Sequence, residues 1–98
     1  MMKVKVYQAD INWNNKFMSY NFTMRHGGID ESVYGCCYNG ELDAQSLEDI
    51  FCILNTQHLV GFNGHSLSVS DIIKVEGFGT YYVDSFGFSE IFGFKEDK

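Results

Sequence analysis

Two runs of β-branched and aromatic residues, Ile72-Ile73-Lys74-Val75 and Tyr81-Tyr82-Val83, flank Glu76-Gly77-Phe78-Gly79 and commit residues 71–84 to a C-terminal antiparallel hairpin. Few other arrangements bury both runs while giving the glycines a turn. Ahead of the hairpin, Gly64-His65-Ser66-Leu67-Ser68-Val69-Ser70-Asp71 reads as a polar loop. Beyond it, Asp84-Ser85-Phe86-Gly87-Phe88 reads as an aromatic turn. The whole stretch has the character of a packed unit rather than a reaction centre.

Upstream, Lys3-Val4-Lys5-Val6-Tyr7 alternates polar and apolar, the pattern of a half-buried first strand with Val4 and Val6 on one side. Residues 10–15 form a polar loop around Trp13, and 16–24 fit either a strand or a short helix. His26-Gly27-Gly28 breaks the chain, residues 29–33 suit a helical turn, and 34–42 look extended, with Asn39-Gly40 signalling a short hairpin. The main helix is expected over 46–57. Ser46 is its N-cap, Glu48 and Asp49 sit where the helix dipole favours negative charge, and Leu47, Ile50, Phe51 and Leu54 make one apolar face. A further short helix is expected from Ser89, and Lys95-Glu96-Asp97-Lys98 forms a charged, frayed tail. Gly-Phe recurs at 61–62, 77–78, 87–88 and 93–94 without regular spacing, so each pair is read as a local turn with a ring that anchors it.

These elements add up to a single α+β domain over 1–98: a small, mainly antiparallel sheet from the first strand, a middle pair and the hairpin, with the 46–57 helix packed on one face. Nine Phe and six Tyr supply the large rings of its core. Thirteen acidic against seven basic residues give a formal charge of −6, which repels a phosphate backbone and argues against direct nucleic-acid binding. The same charge attracts basic proteins, or simply keeps the chain soluble. With no long apolar run, the protein is expected to be cytoplasmic and free of any membrane segment.

Adjacent Cys36 and Cys37, with Cys52, are read as reduced thiols; Cys52 is expected to pack beside the helix. Their spacing is wrong for zinc, and no metal or other cofactor is expected. Cys36, Cys37 or Cys52 with His26, His58 or His65 supplies the residue types of a nucleophilic pair, but nothing local lowers a thiol pKa. His65 with Ser66, Ser68, Ser70 and Asp71 contains the types of a hydrolytic triad, which are also the types that tie down loop backbones. Asp71 and Asp84 either face each other across the hairpin or serve as strand-end residues. The C-terminal rings, Tyr81, Tyr82, Phe86, Phe88, Phe92 and Phe94, outnumber what one hairpin face buries. Those left exposed, rimmed by Asp84, Glu90 and Glu96, would make a protein-binding surface.

The opening strand Met2-Lys3-Val4-Lys5-Val6-Tyr7-Gln8, the helix start Ser46-Leu47-Glu48-Asp49-Ile50-Phe51, and above all the 64–71 and 81–88 segments resemble the YodL-like family. Residues 26–38, with the double cysteine, depart from its pattern. The resemblance implies a mobile-element setting, in phages and conjugative elements, and domains of this kind inside larger proteins that act on host defences; it implies no reaction or ligand. The leading expectation is a non-catalytic module that binds a protein partner through Tyr82, Asp84, Phe86 and Phe88, with a homo-oligomer compatible. A small hydrolase-like enzyme using His65, Ser66 and Asp71 is the second reading, and an acidic DNA mimic the third.

Overall fold

A computed structural model of the chain describes residues 1–57, 59 and 61–94. His58 and the tail at 95–98 lie outside the described residues. Strands β1 (Met2–Ala9), β2 (Tyr34–Leu42), β3 (Ile72–Val75), β4 (Gly79–Val83) and β5 (Phe88–Ile91) form one sheet in the order β2-β1-β3-β4-β5. Every neighbouring pair is antiparallel. Helices α1 (Tyr20–Arg25) and α2 (Leu47–Thr56), with a 3-10 turn at Glu31–Val33, complete an α+β fold that is mostly sheet.

The hairpin forms as its composition requires, Ile72 opposite Tyr82 and Val75 opposite Gly79. Helix α2 begins where Ser46 accepts a hydrogen bond from Asp49 N–H at 3.1 Å, and the Asp49 carboxylate in turn accepts from Gln45 N–H at 3.1 Å. This reciprocal arrangement satisfies donors that a helix start otherwise leaves open. Ile50 and Leu54 are buried and Leu47 and Phe51 pack partly against the same core, so the apolar face lies where its spacing puts it.

Four expectations are corrected. Asn39 and Gly40 make no turn: they lie inside β2, opposite Lys5 and Val4, and β2 is one continuous strand where a middle pair was expected. Continuous pairing with β1 outweighs the local turn preference, and a Cβ at Gly40 would fall 2.5 Å from the Tyr38 hydroxyl oxygen. Residues from Ser89 form strand β5, not a helix, because the open side of β4 accepts another strand there. Cys52 is exposed, since it lies off the α2 stripe that faces the sheet. Each Gly-Phe glycine does hold a left-handed turn, but Phe78 is exposed and anchors nothing.

Strand β1 is half-buried over Lys3–Val6, as its alternation requires, with Tyr7 and Ala9 adding buried side chains on the second face. Val4 and Val6 pack towards α2 with Tyr38, Leu42, Ile50, Leu54, Ile73 and Val75. Tyr7 and Ala9 belong to a second core with Tyr34, Ile72, Tyr82 and Ile91, roofed by Trp13, Tyr20, Ile29, Val33 and Phe94. A bulge in β2 sets Tyr38 and Tyr34 on opposite faces: Val6 pairs with Tyr38 but Tyr7 with Cys36, leaving Cys37 unopposed. The sheet is therefore covered by α2 on one face and by α1 with its flanking loops on the other.

Ile50 has no exposed surface at the centre of the α2 contact. Ile50→Ala is expected to lower unfolding free energy by about 2–5 kcal/mol through lost burial and an unfilled cavity, read from the urea midpoint at unchanged m-value.

Candidate functional site

Buried polar side chains gather in one region: Asn15, Lys16, Thr23, Ser70 and Asp71 are the polar or charged residues with little or no exposed surface among those described. Their positions follow from where β3 begins. Ser70 takes a left-handed φ of 83° immediately ahead of β3 and spends every polar atom on a different part of the chain. Its N–H donates to Val83 C=O at 2.9 Å, its carbonyl accepts the Tyr34 hydroxyl at 2.6 Å, and its Oγ accepts Phe17 N–H at 3.0 Å. Phe17 is the other non-glycine residue with positive φ among those described, at 70°. The two strained residues thus hold each other and flank the two charges of the cluster, Lys16 and Asp71.

Asp71 is wholly buried. Its Oδ2 accepts Ser68 N–H at 2.9 Å and Gln8 Nε2 at 3.1 Å, while Oδ1 makes no hydrogen bond and has Lys16 Nζ at 3.6 Å. Burial raises the Asp71 pKa, and the bonds from Ser68 and Gln8 and the charge of Lys16 only partly offset it. The Lys16 side chain retains 2% exposure, so this is a buried ion pair in which neither charge is replaceable by water.

His65 closes the cluster from the solvent side. Its Nδ1 lies 2.9 Å from the Ser66 carbonyl, which can only accept, and its Nε2 lies 3.3 Å from the Lys16 ammonium, which can only donate. His65 Nδ1 therefore donates to the Ser66 carbonyl, and its Nε2 accepts from Lys16. Gln8 Nε2 then uses its two protons on His65 C=O, at 2.8 Å, and on Asp71. A Cβ on Gly64 would collide with the Gln8 side chain, which explains the glycine there.

His65 and Asp71 are thus joined through Lys16 and Gln8, neither of which the sequence singled out. Ser66 meets the imidazole through its carbonyl. His65 and Ser66 line a recess of about 310 Å³ with Asn55, Gln57 and Phe62, and Asp71 lies beneath His65, outside that lining. Burial, with the nearby Asp71 charge, pushes the Cys37 thiol up to about 12, so it stays protonated. His26 stacks on Phe22 and contacts its carbonyl at 2.8 Å, finishing α1.

Asp71 and Asp84 have separate partners and sit just before β3 and just after β4. Asp84 accepts from Tyr20 N–H at 3.1 Å, Ser85 N–H at 2.7 Å and Ser89 Oγ at 2.9 Å. Partial burial raises its pKa, but these three bonds prevail and hold it below the ordinary carboxylate value. Tyr82 has no exposed surface: its hydroxyl donates to Met18 C=O at 2.7 Å, and with that proton used the Thr23 hydroxyl, 2.9 Å away, donates to it. This placement removes Tyr82 from any docking surface, a correction that follows from its position on the β4 face towards the second core.

Phe86 and Phe88 lie differently. Phe86 is 96% exposed at the tip of the β4–β5 turn. Phe88 is half-buried against Phe51, ring centroids 6.2 Å apart, and together with Val69 and Val83 these rings floor a groove of about 620 Å³. Glu48 and Asp84 stand at its rim. On the sheet, Lys3, Lys5 and Lys74 mingle with Glu41 and Glu76 around a recess of about 450 Å³. No described helix is long and apolar enough to cross a membrane.

The sequence profile of the YodL-like domain matches residues 3–94, nearly the whole chain. No curated protein and no solved structure matches it.

Lys16→Met strands a buried carboxylate and is expected to cost about 3–5 kcal/mol. Adding Asp71→Asn should recover at least about 1 kcal/mol relative to the sum of the single effects; strict additivity in urea unfolding would mean the two charges are uncoupled. Asp84, its folded pKa lowered, contributes stability above its unfolded pKa that is lost as pH falls through the folded one. Wild type should therefore lose its advantage over Asp84→Asn between about pH 5 and pH 2. An unchanging difference across that range would remove the role assigned to its three hydrogen bonds.

Proposed function

This chain belongs to the YodL-like domain family, and from that premise we propose that it is a non-catalytic module that binds a protein partner through the groove beside Phe88. The observation that carries the reading is the groove itself: an apolar floor of Phe51, Val69, Val83 and Phe88 under an acidic rim, in a protein of net charge −6. An apolar centre with a charged margin is the usual anatomy of a docking site. Complementarity then asks for a partner segment that combines an aromatic or aliphatic anchor with Lys or Arg. In the mobile-element setting that the family resemblance implies, a host protein that handles nucleic acid offers such a surface and would be countered by being occupied.

The cluster around Asp71 supports a structural role in this reading, because its polar atoms join segments of the fold and its charges lie beneath His65. The intermixing of Lys3, Lys5 and Lys74 with Glu41 and Glu76 counts against a row of carboxylates spaced like phosphates.

Selection from a random-peptide display library on the immobilised protein tests the proposal. Enriched peptides are expected to pair an aromatic or aliphatic residue with Lys or Arg. The exposed rim substitution Glu48→Lys should weaken them about 5- to 50-fold, equivalent to about 1–2 kcal/mol. No enrichment, or peptides indifferent to both Glu48→Lys and Phe88→Ser, would sink the reading.

A further inference from the structure

Among the described residues the sheet ends on β2 and β5, and an edge strand presents unpaired N–H and C=O groups that another strand can use. The two edges are treated differently. β2 carries the bulge at Cys37, and Asn63 N–H caps the Cys37 carbonyl at 2.8 Å. β5, Phe88-Ser89-Glu90-Ile91, has no bulge against β4, no Pro and no Lys; it is short and carries a single charge, Glu90. At either end stand the two most exposed large hydrophobic side chains described, Phe86 at 96% and Phe92 at 85%. Each lies three residues from Ser89.

We propose that β5 pairs antiparallel with β5 of a second copy about a two-fold axis at Ser89, making one sheet continuous through two molecules. An isologous interface requires a self-complementary patch, and the placement of the rings about Ser89 supplies one. Antiparallel pairing brings Phe86 of one copy to the same end of the ribbon as Phe92 of the other, and symmetry repeats the contact. Centring on Ser89 sets Glu90 opposite Phe88 of the second copy, whereas centring on Glu90 would oppose two like charges. Four such rings bury about 600–1,000 Å² before the strand backbones are counted, which reaches the roughly 1,000 Å² scale of a specific interface. The charge of −6 on each copy opposes association, so added salt strengthens the dimer.

Sedimentation equilibrium in 0.5 M NaCl tests this on the full chain. A dimer is expected, with Phe86→Ser plus Phe92→Ser raising its dissociation constant at least about 30-fold; both positions are exposed, so the fold is not at risk. Ser89→Cys, in a background of Cys36→Ser and Cys52→Ser, is expected to give a cross-linked dimer on mild oxidation. A monomer at all concentrations, a dimer that survives the double substitution, or a dimer that Ser89→Cys does not cross-link overturns the proposal. The groove reading is independent of this outcome, since peptide selection at Glu48 and Phe88 reads it separately.

Discussion

The buried Asp71 carboxylate, with left-handed Ser70 before it, is the constraint on which the rest of the molecule depends. Removing a carboxylate from water costs several kcal/mol unless its surroundings answer it. Here the answer comes from Gln8 on β1, Ser68 on the preceding loop and Lys16 on the loop before α1. Ser70 recruits Tyr34 at the start of β2, Val83 at the end of β4 and Phe17. Two consecutive residues therefore hold parts of the chain up to 63 positions apart in sequence. The left-handed φ at Ser70 and Phe17 is tolerated because the bonds they make are over-determined by this network.

From that knot follows the two-sided sheet. Lys16 and Phe17 are drawn across the face opposite α2, and α1 comes with them, its first N–H bound to Asp84. Tyr34 and Tyr82 are then buried without orphaned hydroxyls: Tyr34 donates to Ser70 C=O and Tyr82 to Met18 C=O. On the other face, ten-residue α2 packs over β1 and its neighbours and reaches only Phe88 at the far side. The groove there is what remains when a short helix covers a five-stranded sheet. The exposed rings of Phe86 and Phe92 stand around β5, while the buried polar network lies around Asp71.

How much of this was legible in the chain depends on how far apart the interacting residues are. The 71–84 hairpin, the α2 cap and stripe and the alternation of Val4 and Val6 on β1 rest on neighbours a few residues away, and the pattern carried them. The exposure of Phe86 followed from an excess of rings over available face. Asn39-Gly40 and residues 89–91 were misread because a strand partner elsewhere in the chain outweighed local turn and helix preference. Tyr82 was misassigned because alternation along β4 tells which residues share a face but not that a second core covers it.

By itself, then, the sequence determined the antiparallel hairpin, the one main helix, the net negative charge and the family, because these are properties of short-range spacing and composition. Tertiary structure alone decided that Lys16 and Gln8 bridge His65 to Asp71, that Cys37 bulges, that a second core forms on the face opposite α2 and that β5 ends the sheet among the described residues. Each of these depends on which distant segments meet, and burial acts only once they have met: an isolated Lys, Gln or Asp is well solvated and carries no sign of the partner it will need.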